Sequence, residues 1–232
     1  APYVGQGEIR IRISAKAESD EKAAVLIEPV KHQILERAGK YYLGEGEMPI
    51  EARLAEILAR KALSLSIAES CTGGLISSRI TDVPGSSAFT FINMVTYGNT
   101  EKSRFIEVSP ETLRLHGAVS PEVAGEMARG IRNQSHCDIG LSITGIAGPK
   151  GGSPEKPVGL AYVGICGSGT PCNKEAATDS SAPDLLVKKI VVNPQLPRRE
   201  IKLLFSQYAL FFLLKHLSGE LESDFPALSM TR

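Results

Sequence analysis

Ile9, Ile11 and Ile13 alternate with Glu8, Arg10 and Arg12 near the start of the chain, the period of two expected of a strand with one buried face. Ser19-Asp20-Glu21 then opens a longer period, with Leu26, Ile27, Val30, Ile34 and Leu35 on one helical face and Gly39 as its stop. Pro29 falls within that pattern and predicts a kink or an early break. Tyr41-Tyr42-Leu43 reads as a returning strand, which makes residues 1–47 a small β-α-β module.

From residue 48 the pattern changes to strands alternating with helices, the mark of a layered α/β domain over residues 48–232. Pro49-Ile50 starts a helix with Leu54, Ile57 and Leu58 inward, and Leu63 to Ala68 follows as a strand. Residues 68–74 turn into a helix that reaches Thr81, Val83-Pro84-Gly85 is a turn, and Phe91 to Tyr97 is a strand. Asn99 or Thr100 caps a short helix carrying Lys102. Ser109-Pro110-Glu111 and Ser120-Pro121-Glu122 each combine an N-cap, a first-turn proline and an early acid, so both predict helix starts. Strands are expected at Asp138 to Thr144, Val158 to Cys166 and Leu185 to Val192, the last at a sheet edge. A flexible insertion is expected over 167–183, where Gly, Ser, Pro and Ala accumulate, and Arg199 to Leu217 closes as a helix.

Composition removes several function classes. Lys+Arg and Asp+Glu are equal at 26 each among 232 residues, and residues 1–47 carry seven basic and eight acidic side chains. Neither balance suits a nucleic-acid clamp, whose affinity comes from phosphate neutralisation. The longest apolar run, Tyr208 to Leu214, is far short of the roughly 20 residues of a membrane span. The first residues lack a basic region, an apolar core and a Met, so they read as the start of a fragment or processed chain rather than a signal peptide. Cys71, Cys137, Cys166 and Cys172 form no metal-binding spacing; Cys166 and Cys172 flank one loop, but unpaired thiols in a reducing cytoplasm fit the pattern.

The four histidines, His32, His116, His136 and His216, are scattered, and no G-x-S-x-G elbow, Walker A or Rossmann glycine pattern is present. What remains is a set of hydroxyl- and glycine-rich turns at strand ends, where α/β sheets bind ligands. Ser70 and Thr72 follow the first strand of the domain, Ser86 and Ser87 precede the next, Tyr97 and Lys102 follow it, and Thr144 leads into the Gly145 to Gly152 loop. Each has an ordinary structural explanation alone: a cap, a solvated lysine, a tight connection. Together they suggest a serine activated by a lysine, because a buried lysine loses its proton more easily and becomes a base.

AESCTGG (68–74), PGSSAF (84–89), VTYGNTEK (95–102), HGAVSPE (116–122), TGIAGPKGG (144–152) and EKPVGL (155–160) occur in one order. Over about residues 50–215 they resemble the C-terminal domain of the CinA family, the nicotinamide-nucleotide amidases. Residues 1–47 resemble the connector that, in longer members, joins this domain to an N-terminal domain associated with ADP-ribose pyrophosphatase activity. The resemblance implies a layered α/β/α amidase domain around a mixed sheet, with no cofactor and no metal. It also implies a cytoplasmic homo-oligomer such as a dimer that deamidates nicotinamide mononucleotide, with no nucleic-acid or membrane partner. On the matching motifs the nucleophile falls on Ser87, the base on Lys102 and the family tyrosine on Tyr97. Ser70 and Thr144 match further site positions, Thr72 is added as a substrate contact, and the loop with Gly145, Gly148 and Gly151 offers open N–H groups to the ligand phosphate, with Lys150 or Arg198 as its charge partner.

Several positions depart from the family pattern: Ile92-Asn93-Met94, Gly98, Leu196-Pro197-Arg198, Lys202 in place of a second arginine, and a longer stretch over 167–193. They spare the serine and the lysine but alter the phosphate side, where Arg and Lys are not equivalent. Two other functions therefore stay open: a Ser/Lys amidase for another small amide, and a catalytically silent nucleotide-binding domain. Ser153 and Lys156 also have the S-x-x-K spacing of penicillin-binding enzymes, but no Ser-Asp-Asn or Lys-Thr-Gly companion, so that spacing reads as coincidence.

Overall fold

A computed structural model describes residues 1–167 except Gln6, then 169, 185–220 and 228–229. The proposed insertion beyond Gly167 and Cys172 lie outside these residues. The chain divides into two compact units, Ala1–Glu47 and Met48–Arg232.

The first unit is β-β-α rather than β-α-β. Strand β1 (Pro2–Val4) pairs antiparallel with β2 (Ile9–Ile11), and helix α1 (Asp20–Ala38) follows. Residues 41–43 do not return as a strand, because β2 already has a local partner and the chain leaves α1 through a 3-10 turn at Gly39–Tyr41. Ser19 caps α1 as expected, accepting the Lys22 N–H. The helix runs through Pro29 without interruption, and its exposed position leaves the one carbonyl lost to the ring open to solvent. The expected buried face is not buried: Ile9 and Ile11 are 65% and 49% exposed, and α1 buries no residue. Two short strands and one helix are too little structure to cover each other.

The second unit is a three-layer α/β/α domain. Its elements in chain order are α2 (Ile50–Arg60), β3 (Leu65–Glu69), α3 (Leu75–Thr81), β4 (Thr90–Val95), α4 (Asn99–Ile106), α5 (Pro110–His116) and α6 (Pro121–Ser135). Strands β5 (Ile139–Gly145), β6 (Leu160–Cys166) and β7 (Leu185–Val191), helix α7 (Arg198–Leu217) and the two-residue β8 (Leu228–Ser229) complete it. The sheet order is β4-β3-β5-β6-β7-β8. β4, β3 and β5 are mutually parallel, whereas β6 is antiparallel to β5 and β7 antiparallel to β6. β7 is not the edge strand that was expected, since β8 pairs along the far side of Ile190 and Val191. Among the described residues no helix is long and apolar enough to cross a membrane.

Every residue of β3 is buried, as its central position requires. One face is covered by α6, with α4 and α5 beside it, around Ala68, Ile106, Val123, Met127 and Ile131. α6 lies directly on the sheet: a Cβ on Gly140 would come 2.1 Å from the Ala128 carbonyl oxygen, and one on Gly164 would come 2.4 Å from that of Ala124. α2, α3 and α7 pack together on the other face. There Arg79 donates to Glu51, to Ser206 Oγ (2.8 Å) and to Gln207 Oε1 (2.6 Å), so a mostly buried cation has three partners and ties three helices. Ser109 and Ser120 cap α5 and α6 by accepting from Thr112 N–H and Val123 N–H, both at 3.3 Å.

Candidate active site

Because β3, β4 and β5 run parallel, their carboxyl ends lie at one edge of the sheet. The turn after β3 carries Ser70 and Thr72, the segment after β4 carries Tyr97 and Lys102, and the loop after β5 carries residues 145–152. This is the edge at which open α/β sheets take ligands.

Lys102 is the most unusual residue there. It sits in the first turn of α4 and is 1% exposed. Its ammonium nitrogen donates to the carbonyls of Thr96 (2.8 Å) and Tyr97 (3.1 Å) and lies 3.2 Å from Ser70 Oγ. Burial holds its pKa below the usual lysine range, with Cys71 and Glu101 acting in the opposite direction. Cys71, buried beside it, is pushed up to about 12, first by burial and then by Glu69, with Lys102 and Arg198 opposing. The thiol is therefore protonated at neutral pH, while burial acts on Lys102 in the direction that favours its neutral amine.

Ser70 is held firmly. Its N–H donates to Ile143 O (3.1 Å), and its carbonyl accepts the Gly73 N–H (3.1 Å), closing a tight turn. Gly73 and Gly74 both have positive φ (64° and 93°), the conformation that favours glycine. The turn ends on Glu69, fully buried, whose carboxylate accepts from Gly74 N–H (3.0 Å), Ile76 N–H (3.2 Å), Ser77 N–H (2.8 Å) and Ser77 Oγ–H (2.6 Å). It serves as the cap that Gly74, the residue before α3, has no side chain to provide. The main chain of Glu69 also accepts the Thr96 N–H at 2.9 Å, joining the two segments that hold Lys102.

The other sequence-predicted residues are placed differently from one another. Ser87 lies in a 3-10 turn, Ser86–Ala88, and is exposed; among the described residues no hydrogen bond joins its hydroxyl to Lys102. Tyr97 is 60% exposed, and its hydroxyl accepts from Arg198 Nη2 at 2.9 Å. Arg198 also donates through Nη1 to the Gly148 carbonyl at 2.6 Å, so it fastens the β4–α4 segment and the glycine loop to the start of α7. Thr144 is buried, with its hydroxyl donated to the Ala118 carbonyl at 2.8 Å. Gly145 is fixed by packing, since a Cβ there would come 2.6 Å from the Ala161 Cβ. Gly148 and Gly151 have φ of 69° and 95°, and Lys150 is exposed. Thr72 is fully buried and its hydroxyl has no partner among the described residues, a costly arrangement unless a ligand or water meets it. Ser153 and Lys156 are in a turn rather than on a helix face, and Lys156 Nζ is directed at the His116 carbonyl.

Sequence reasoning missed Glu69 and Thr96. Glu69 stands inside the 68–74 motif, and its capping of α3 from five residues before Gly74 falls outside the local N-cap pattern that a sequence displays. Thr96 contributes a backbone carbonyl to Lys102, for which no side-chain pattern exists; its own buried hydroxyl is unpartnered among the described residues.

The comparisons agree with this architecture. The family model for the CinA C-terminal domain matches residues 47–215, and that for the damage-inducible protein CinA KH domain matches residues 1–44. CinA-like proteins of Dictyoglomus thermophilum and Kosmotoga olearia are each 48% identical over 165 residues, 71% of this chain and 40% of theirs. The chain thus spans less than half the length of these curated relatives. Among solved structures, the competence/damage inducible protein CihA of Agrobacterium tumefaciens is 34% identical with a TM-score of 0.62, covering 74% of this chain and 99% of its own. The competence damage-inducible protein A of Klebsiella pneumoniae is 27% identical with a TM-score of 0.64, covering 73% and 95% respectively. With its second unit matched along nearly all its described elements and its first unit matched as well, the chain belongs to the CinA family.

Proposed function

We propose that the second unit is a Ser/Lys amidohydrolase that converts nicotinamide mononucleotide to nicotinate mononucleotide and ammonia. The observation that supports it best is the buried Lys102, depressed in pKa and in hydrogen-bond reach of a serine at the ligand-binding edge of the sheet. Ser87 is assigned as nucleophile. Its oxygen adds to the carboxamide carbon while its proton passes to the Lys102 side of the site. The tetrahedral intermediate collapses, the C–N bond breaks, and that proton leaves with ammonia. Water then adds to the acyl-enzyme, gives its proton to the base, and releases the carboxylate as Ser87 regains its hydrogen. Thr72 and the turn amides stabilise the developing oxyanion. Arg198, Lys150 and the glycine loop face the phosphate. The reading includes a cytoplasmic location and no metal or organic cofactor.

One observation favours a second reading within the same chemistry: Ser70, not Ser87, is the serine in contact with Lys102. In that reading Ser70 is the nucleophile and Ser87 binds substrate. Ammonia release from the mononucleotide, with and without EDTA, is measured for wild type, Ser87→Ala and Ser70→Ala. Trapping the acyl-enzyme by acid quench and mapping the modified peptide then assigns the serine. Chelator-resistant ammonia with label on the Ser87 peptide supports the first reading, and label on the Ser70 peptide supports the second. Folded wild type that binds the mononucleotide but releases no ammonia defeats both and leaves a silent binding domain.

A further inference from the structure

We infer that Glu69 is a positioning residue for the Ser70–Lys102 pair. The inference rests on the amidase reading for its kinetic consequence, but not for its structural one. Glu69 stands at the junction of the two segments that build the pair. Its side chain takes four hydrogen bonds from the start of α3, which sets where the Ser70–Gly74 turn ends. Its main-chain oxygen takes the Thr96 N–H, and the Thr96 carbonyl in turn holds Lys102 Nζ.

A buried carboxylate is costly unless its lone pairs are occupied, and here four donors occupy them. Stability alone would be served by a local Ser, Thr or Asp at the N-cap of α3. A carboxylate reaching from five residues upstream does something that a local cap cannot, because it spans the catalytic turn and fixes both ends. Sub-ångström placement matters for proton transfer between hydroxyl and amine, and a misplacement of about 1 Å costs on the order of a hundredfold.

The groups that face Lys102 limit the alternatives. Ser70 and Cys71 approach from the turn after β3, the Thr96 and Tyr97 carbonyls from the end of β4, and Glu101 from its own helix, with Arg198 bound to Tyr97 beyond. Glu69 makes no contact with the ammonium, so its influence passes through the turn.

Glu69→Gln keeps the size and removes the charge, and its amide N–H groups face donors. Two measurements test it. With folding verified by circular dichroism well below the melting temperature, kcat for the mononucleotide is expected to fall roughly ten- to a hundredfold with KM within about twofold. Ser77→Ala, which removes one of the four bonds, is expected to cause a smaller loss of the same kind. Independently of activity, the Lys102 Cε resonance is titrated in protein labelled with 13C-lysine. Loosening the turn lets water reach the amine, so its midpoint is expected to move upward, toward ordinary lysine. Unchanged kcat and an unmoved Lys102 midpoint in folded Glu69→Gln would overturn the inference, as would a downward movement, which would mark Glu69 as a direct counter-charge. If wild type has no amidase activity, the titration still decides the positioning role.

Discussion

Among the described residues Lys102 Nζ has three neighbours within hydrogen-bond distance, and of these only Ser70 Oγ can donate as well as accept. The other two are backbone carbonyls. A neutral amine has two N–H groups and one lone pair. If the Thr96 and Tyr97 carbonyls take the two hydrogens, the lone pair is left facing the Ser70 hydroxyl. Two main-chain atoms would thereby aim the neutral amine at a hydroxyl, an arrangement that a pattern of side chains could not reveal.

The first prediction concerns rate and pH. Because burial depresses the Lys102 pKa, the acid limb of kcat for amide hydrolysis should lie below the ordinary lysine range of about 10.4. Lys102→Met should abolish turnover. A limb at ordinary lysine values would remove Lys102 as the general base.

Stability should follow the same ionisation with a definite sign. The folded pKa of Lys102 is lowered, so between that value and the unfolded value the unfolded chain binds more protons, and stability rises with pH. Below the folded value the whole cost of the buried ammonium is present. Urea midpoints of wild type relative to Lys102→Met should therefore climb as pH rises through that window. A difference that stays flat would mean the lysine titrates alike in both states.

Cys71 should be inert in the native protein. Its thiol is buried and pushed up to about 12, so almost no thiolate exists at pH 7. Iodoacetamide should leave the Cys71 peptide unmodified in buffer and alkylate it in 8 M urea, a concentration of roughly the size that unfolds small domains. Rapid native labelling of that peptide would contradict the burial.

Arg198 and Tyr97 should act as a unit. Arg198→Ala and Tyr97→Phe each remove the 2.9 Å contact, so kcat/KM of the double variant should fall by less than the sum of the single losses. A coupling of about 0.5–3 kcal/mol is the expected range. Additive losses would show that Arg198 works through Gly148 or the ligand rather than through the tyrosine.

The parts of this architecture that follow local rules were legible in the sequence. Ser109-Pro110 and Ser120-Pro121 started helices because capping and proline geometry depend only on neighbouring residues. The run around Leu65 was legible as a strand from Leu65, Ile67 and Ala68, and it lies in the sheet with all its residues buried, Ser66 and Glu69 included. Long-range pairing was not legible. Ile9 and Ile11 alternate as a half-buried strand should, yet nothing in the first unit covers them, and their partner is the unremarked Pro2–Val4. β7 took a neighbour from residues 228–229, far along the chain. At the candidate site, Ser70, Tyr97, Lys102 and Gly145 lie at or just beyond the carboxyl ends of three parallel strands, as the order of motifs and strands implied. The Lys102 contacts with two carbonyls, and its contact with Ser70 rather than Ser87, depend on backbone placement that side-chain identity does not encode.

The reversal of strand direction between β5 and β6 separates two kinds of length variation. β6 leaves the edge that holds the Gly145 end of β5 at Leu160 and reaches the opposite edge at Cys166, where β7 begins beside it at Leu185; β7 then returns to the first edge at Val191. The segment joining Cys166 to Leu185 thus begins and ends a strand's length from Lys102, at the far rim of the sheet. Extra residues there enlarge the protein without lengthening any connection that carries Ser70, Ser87, Tyr97 or Lys102. An affinity tag or fluorophore introduced between those two strand ends would be attached at the rim of the sheet opposite the edge that leads to Lys102.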